Sequence, residues 1–96
     1  METEGTINIL VKEPGEPWKK DRIPNTLEAM QEKVGGHIEA VTIADNACLI
    51  CNEEGRITSL PFNCYFMGAD FYGTILMVGT DGDEFTDCPF FDLGVN

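Results

Sequence analysis

Basic residues are scarce in this chain of 96 residues, and they stop early. Six Lys and Arg stand against seventeen Asp and Glu, a formal net charge of −11. Lys12, Lys19, Lys20 and Arg22 crowd the first quarter, Lys33 and Arg56 follow, and no base comes after Arg56. Such a surface repels phosphate backbones, which excludes direct nucleic-acid binding from the expected functions and favours a basic partner. Long apolar runs are also lacking. Nothing approaches the ~20 consecutive apolar residues of a membrane helix. The opening METEGTINILVKEPGE has no basic stretch followed by an apolar one, so no export signal is expected and a cytoplasmic setting is the default. There is one histidine, His37, with no nucleophile in a known motif beside it. No G-x-x-x-x-G-K or G-x-G-x-x-G phosphate loop occurs. These gaps leave no catalytic signature, and no cofactor or metal is expected.

Four cysteines are present, and Cys48-Leu49-Ile50-Cys51 spaces two of them as C-x-x-C. Zinc and redox versions of that motif need a turn or a helix start that aims both sulfurs at one point. Here Leu and Ile separate the pair and no Gly or Pro makes a turn. On a strand, positions i and i+3 point to opposite faces. The expectation is two free thiols facing apart, neither chelating nor bridged. Asp81-Gly82-Asp83-Glu84 invites comparison with a calcium loop. Thr86 stands where such a loop needs glycine and Asp92 where it needs glutamate, so a hairpin turn on Asp-Gly is the better reading.

The chain reads as one domain over residues 1–96, with 1–5 and 92–96 expected to fray. Thr6–Val11 is β-branched and bounded by turn residues, a first strand. Residues 13–22, EPGEPWKKDR, read as a loop in which Trp18 serves as a lid over the core rather than as an exposed contact. Asn25 is the expected helix N-cap, with Glu28 reaching back to it. Leu27, Met30 and Val34 mark the buried stripe of a helix of about ten residues, closed by Gly35-Gly36. Strands are expected over 37–44, 47–52, 56–60 and 73–79, the last buried and central. Residues 63–72, NCYFMGADFY, fit either a short helix or an aromatic-rich loop. The fold class is therefore α+β: one helix packed on a mainly antiparallel sheet of four or five strands, with some parallel pairing open because the helix lies between the first two.

Several stretches together have a family character: Thr26-Leu27-Glu28, Val34-Gly35-Gly36, Ile50-Cys51-Asn52-Glu53-Glu54-Gly55, Leu60-Pro61-Phe62-Asn63, and Gly73-Thr74 with Val78-Gly79. From about residue 6 to about residue 87 the chain resembles the DUF3846 family of small proteins from phages, conjugative transposons and their bacterial hosts. The resemblance carries no catalytic residues. It implies a mobile-element setting, and with it an accessory role or a host-directed inhibitor such as an anti-defence protein. It also shifts attention from C-x-x-C to the turn that follows.

The candidate binding residues are Trp18, Asn52, Glu53, Glu54, Asn63, Tyr65 and Tyr72, polar or aromatic groups at turns and breaks where binding residues concentrate. For Asn52, Glu53, Glu54 and Asn63, ordinary turn chemistry is the favoured account over a binding role. The leading expectation is a binding protein that acts on a host or mobile-element protein, with a basic one favoured by charge. A small-ligand, nucleotide-like binder is the alternative. A hydrolase using Glu53, Glu54 or His37 ranks last.

Overall fold

The computed structural model describes residues 5–92. Its elements run β1 (Thr6–Lys12), β2 (Lys19–Pro24), α1 (Leu27–Val34), β3 (Ile38–Ala44), β4 (Ala47–Asn52), β5 (Phe62–Phe66), β6 (Ala69–Tyr72), β7 (Ile75–Asp81) and β8 (Glu84–Thr86). The α+β class and antiparallel sheet hold, but there are more strands than expected. Six form one sheet in the order β2-β1-β7-β4-β3, with β8 also on β7, and β5-β6 form a separate hairpin. Every ladder is antiparallel among the described residues, so the open question of parallel pairing closes.

The central strands are those whose sequences are apolar on both parities. In β4, ACLICN, and β7, ILMVGTD, the first five positions of each are buried, because both sheet faces are covered. On one face Ile7, Ile9, Cys48, Ile50, Leu76 and Val78 pack with Met30 and Val34 of α1. On the other Leu10, Leu49, Cys51, Ile75 and Met77 pack with Phe71 of the hairpin and Cys88 of the C-terminal segment. Cys48 and Cys51 thus lie in different cores, as strand parity required, and both are free.

Several expectations are corrected. Residues 19–24 are not loop. The charged run KKDRIP pairs with β1 from Thr6↔Pro24 to Val11↔Lys19, as an edge strand whose one buried side chain is Ile23. The helix cap is Thr26, whose hydroxyl accepts from the Ala29 N–H at 3.1 Å; Asn25 instead donates its Nδ2 to the Phe85 carbonyl. The cap's shift puts Glu28 in the first turn without its capping partner. Leu27 is 53 % exposed, so Met30 and Val34 alone form the buried stripe. Gly35 closes the helix at φ 81°.

Residues 56–60 are not a strand. Thr58 N–H donates to the Glu54 carbonyl and Leu60 N–H to the Gly55 carbonyl, so the chain coils over 53–59 and leaves Ile57 82 % exposed. A lone alternation of Ile57 with polar residues buries too little to hold a strand. Residues 63–72 are neither helix nor loop. Phe66 pairs with Ala69 across Met67-Gly68, and both loop residues have positive φ, 53° and 83°. That conformation fits a two-residue hairpin turn.

A hairpin turn joins β7 to β8 as expected, but Asp81 pairs with Glu84, so the turn residues are Gly82-Asp83 rather than Asp81-Gly82. The following residues strap the sheet. Asp87 Oδ1 accepts from the Asn8 N–H at 2.7 Å, and Cys88 N–H donates to the Asn8 carbonyl at 2.8 Å. The expected fraying falls outside the described residues except at two positions. The Gly5 carbonyl accepts from the Asn25 N–H, and Asp92 receives the Lys20 ammonium at 3.4 Å. Among the described residues no helix is long and apolar enough to cross a membrane.

Candidate functional site

Two depressions flank the hairpin. The first is a cleft of about 270 Å³ between β3-β4, the coiled turn and β6. Strand parity puts Glu39 and Val41 of β3 on the hairpin side, because they pair with Cys51 and Leu49. Val41, Cys51, Phe71 and Tyr72 give the cleft an apolar lining, and Glu39, Glu53 and Asp70 place three carboxylates around it. One guanidinium answers them. Arg56 Nη2 lies 3.6 Å from Asp70 Oδ2, and the group stacks over Tyr72 at 5.5 Å from the ring centroid. Phe62 meets the same ring edge-on at 5.6 Å. The Cys51 thiol donates to the Glu39 carbonyl at 3.7 Å. Burial first and the Glu39 carboxylate second push that thiol up to about 11. It is a neutral wall of the cleft at ordinary pH, not a nucleophile.

Three of the seven candidate residues meet here: Asn52, Glu53 and Tyr72. Asn52 is committed to structure. Its Oδ1 accepts from the Glu54 N–H at 2.8 Å and its Nδ2 donates to the Val34 carbonyl at 3.2 Å, which ties the helix end to the end of β4. Glu53 and Glu54 are exposed on the turn, and Glu54 does not line the cleft. Asn63 is the buried polar residue of the core among the described residues, 8 % exposed. Its Nδ2 donates to the Lys12 and Gly73 carbonyls at 2.9 and 2.7 Å, and its Oδ1 accepts from the Lys12 ammonium at 2.8 Å. It clamps the hairpin to the end of β1. Tyr65 stands 69 % exposed on the hairpin's outer side.

Trp18 lies apart, in an apolar groove of about 320 Å³ with Leu10, Ile43, Phe66, Met67, Met77 and Phe90. It is half-buried against the hairpin-side core, the lid position expected of it.

The sequence reading missed Glu39, Val41, Asp70 and Phe71. Glu39 had a signal. It is the lone charge within Ile38–Ala44 and shares parity with Val41, which packs inward. Asp70 and Phe71 had none, because their placement depends on a hairpin whose Met67-Gly68 turn lacks the usual Asn or Asp.

Among the described residues no cluster of His, Cys, Asp and Glu could hold a metal ion. Fold and cleft together define a small acidic α+β protein with an acid-rimmed apolar cleft beside an open sheet edge. A family model matches residues 7–92, and the chain belongs to the DUF3846 family, a domain of unknown function. No curated protein and no solved structure matches it.

Proposed function

We propose that this protein acts by binding a basic partner protein, with the cleft between β3 and the hairpin as the contact. The observation that carries this reading is the cleft itself: three carboxylates against one guanidinium over an apolar floor, on a chain of net charge −11. Acidic rims steer cationic partners and the apolar floor takes the aliphatic stem of a Lys or Arg. The sequence resemblance supports a setting in the cytoplasm of a bacterial host, as an accessory protein of a phage or conjugative element. An inhibitor of a host-defence protein is the role best suited to that setting.

The test is retention of proteins from bacterial lysate on the immobilised chain at about 0.15 M salt, beside a Glu39→Gln/Glu53→Gln/Asp70→Asn variant. Retention by the native chain and loss by the variant is the expected result. Equal retention by both, or none by either, would overturn the reading.

The groove at Trp18 favours a second reading, a small-ligand binder, because a concave apolar site with three aromatic walls suits a flat ring. Nucleotides that raise the melting temperature of the native chain but not of Trp18→Ala would support it. The cleft does not serve that reading, since its carboxylates oppose phosphate.

A further inference from the structure

The two edges of the six-stranded sheet are built differently. The β2 edge carries Lys19, Lys20, Asp21, Arg22 and Pro24, the charges and proline that keep other strands off an edge. The β3 edge, Ile38–Ala44, carries no Lys, Arg or Pro, and β4 is its one partner among the described residues. Its blunting is confined to one charge, Glu39, and a register shift between Thr42 and Ala44. That leaves Ile38–Thr42 regular. The Glu53 N–H donates to the His37 carbonyl at 2.8 Å, and the register pairs Glu39 with Cys51 and Val41 with Leu49. Alternation along an antiparallel ladder then spends the backbone groups of His37, Glu39 and Val41 on β4. Those of Ile38, Ala40 and Thr42 point to the open edge. Ala40 and Thr42 are both exposed.

The acid-rimmed cleft opens on the same side of this edge, lined by Glu39 and Val41. We propose that β3 is a strand-addition site. An extended segment of a basic partner pairs with Ile38–Thr42 and sends alternate Lys or Arg side chains over Glu39 and Val41 into the cleft. Backbone pairing supplies affinity and the cleft selects the side chain, the division of labour usual in strand addition. Charge decides the occupant. A second copy of the chain would bring a like-charged partner, whereas a cationic segment is attracted to Glu39, Glu53 and Asp70. The internal Arg56–Asp70 pair, with its stacking on Tyr72, shows that this wall accepts a guanidinium.

This mode rests on the basic-partner reading above, and the experiment separates the two. The probe is a synthetic peptide of alternating threonine and lysine, which puts every lysine on one face when extended. It is titrated onto the native chain alongside two analogues, N-methylated at odd or at even residues. Amide exchange is followed in the free and bound chain. The expected result is binding by the parent and by one analogue, loss with the other, and new protection at the Ala40 and Thr42 amides. Ala40→Pro removes an outward donor and leaves the β4 ladder intact, and it should weaken binding about tenfold. Equal binding by both analogues without protection overturns strand addition and leaves the basic-partner reading standing. No binding of the parent by a chain that retains a lysate protein through its carboxylates also overturns the mode alone. No binding in either experiment overturns both. A chain that sediments as a dimer which Ala40→Pro dissociates overturns the choice of occupant.

Discussion

The residue that best shows how polarity serves this fold is Asn63. A buried amide is costly unless its donors and acceptor are met. Here both donors and the acceptor are used, joining the end of β1 to Gly73 and thereby to the hairpin. Asn63→Leu keeps the volume and strands two carbonyls and the Lys12 ammonium. A loss of about 2–3 kcal/mol is expected in urea unfolding, while Glu54→Ala, an exposed side chain, should fall within about 0.5 kcal/mol. The cysteines make a second prediction at this scale. Burial pushes the Cys48 thiol up to about 11, against 9.0 for the ordinary group. The native state therefore holds its proton while the unfolded chain releases it, and stability is lost as pH rises from about 9 to about 11. Each such thiol contributes at most about 1.4 kcal/mol per pH unit in that window. The stability advantage of the native chain over Cys48→Ala should shrink between pH 8 and 10.5. An advantage constant with pH would contradict the burial assignment. The two differ in how legible they were. Asn63 reads as a turn residue because its three partners are distant in sequence, and only parity placed the thiols correctly.

At the scale of elements, legibility followed apolar pattern. β4 and β7 are apolar on both parities; the sequence marks β7 as a buried central strand and β4 as a strand. α1 is closed by glycine and was found. β2 was hidden because an edge strand with one buried side chain has almost no pattern, and the hairpin because Met67-Gly68 is an uncommon way to turn. The wall of the cleft from Ala69 to Tyr72 depends on the hidden hairpin, and Glu53, Gly55 and Arg56 reach it through the coiled turn, so the site was less legible than the sheet. The strap after β8 could not be read either, yet it fixes Gly79. A side-chain carbon there would collide with the Asp87 carbonyl and press on Thr86 Oγ1. Gly79→Ala is expected to cost about 1–3 kcal/mol by overpacking and to lift the strap from Asn8. Cys88, 3 % exposed in the native chain, should then react with a thiol reagent under native conditions while Cys48 stays protected. A variant that loses stability with Cys88 still shielded would show that the strand bent and the strap held. Thr26→Ala is a milder change at this scale, costing about 1 kcal/mol through one lost cap. Asn25→Ala should not mimic it, since that amide serves Phe85.

For the whole molecule the governing quantity is charge. Its extents are 38 × 28 × 23 Å, and at about 0.01 M salt the screening length is about 30 Å. Every carboxylate then feels nearly every other, and a net charge of −11 works against the compact state. The opposing ion pairs cannot compensate. Among the described residues Lys33–Asp21 at 2.7 Å is the shortest, and its side chains are 40 % and 36 % exposed, which limits such a pair to about 1 kcal/mol or less. Lys33 does hold the Asp21 carboxyl below its usual range, so that small contribution is present at neutral pH and is lost as pH falls through the lowered value. Repulsion therefore outweighs pairing, and salt should stabilise. Raising NaCl from about 0.01 M to about 0.5 M is expected to lift the melting temperature by several degrees, each 1 kcal/mol being worth about 4–8 °C in a domain of this size. Asp81→Asn/Asp83→Asn/Glu84→Gln should flatten that slope. These residues sit on the β7–β8 turn, away from the cleft, so their removal separates self-repulsion from partner attraction. Salt acts in the opposite sense on a contact made through Glu39, Glu53 and Asp70, weakening it. A partner complex that dissociates over the range in which the free chain gains stability shows both effects of one charge distribution. A melting temperature indifferent to salt would mean that the acidic surface is spread widely enough to cost the fold nothing.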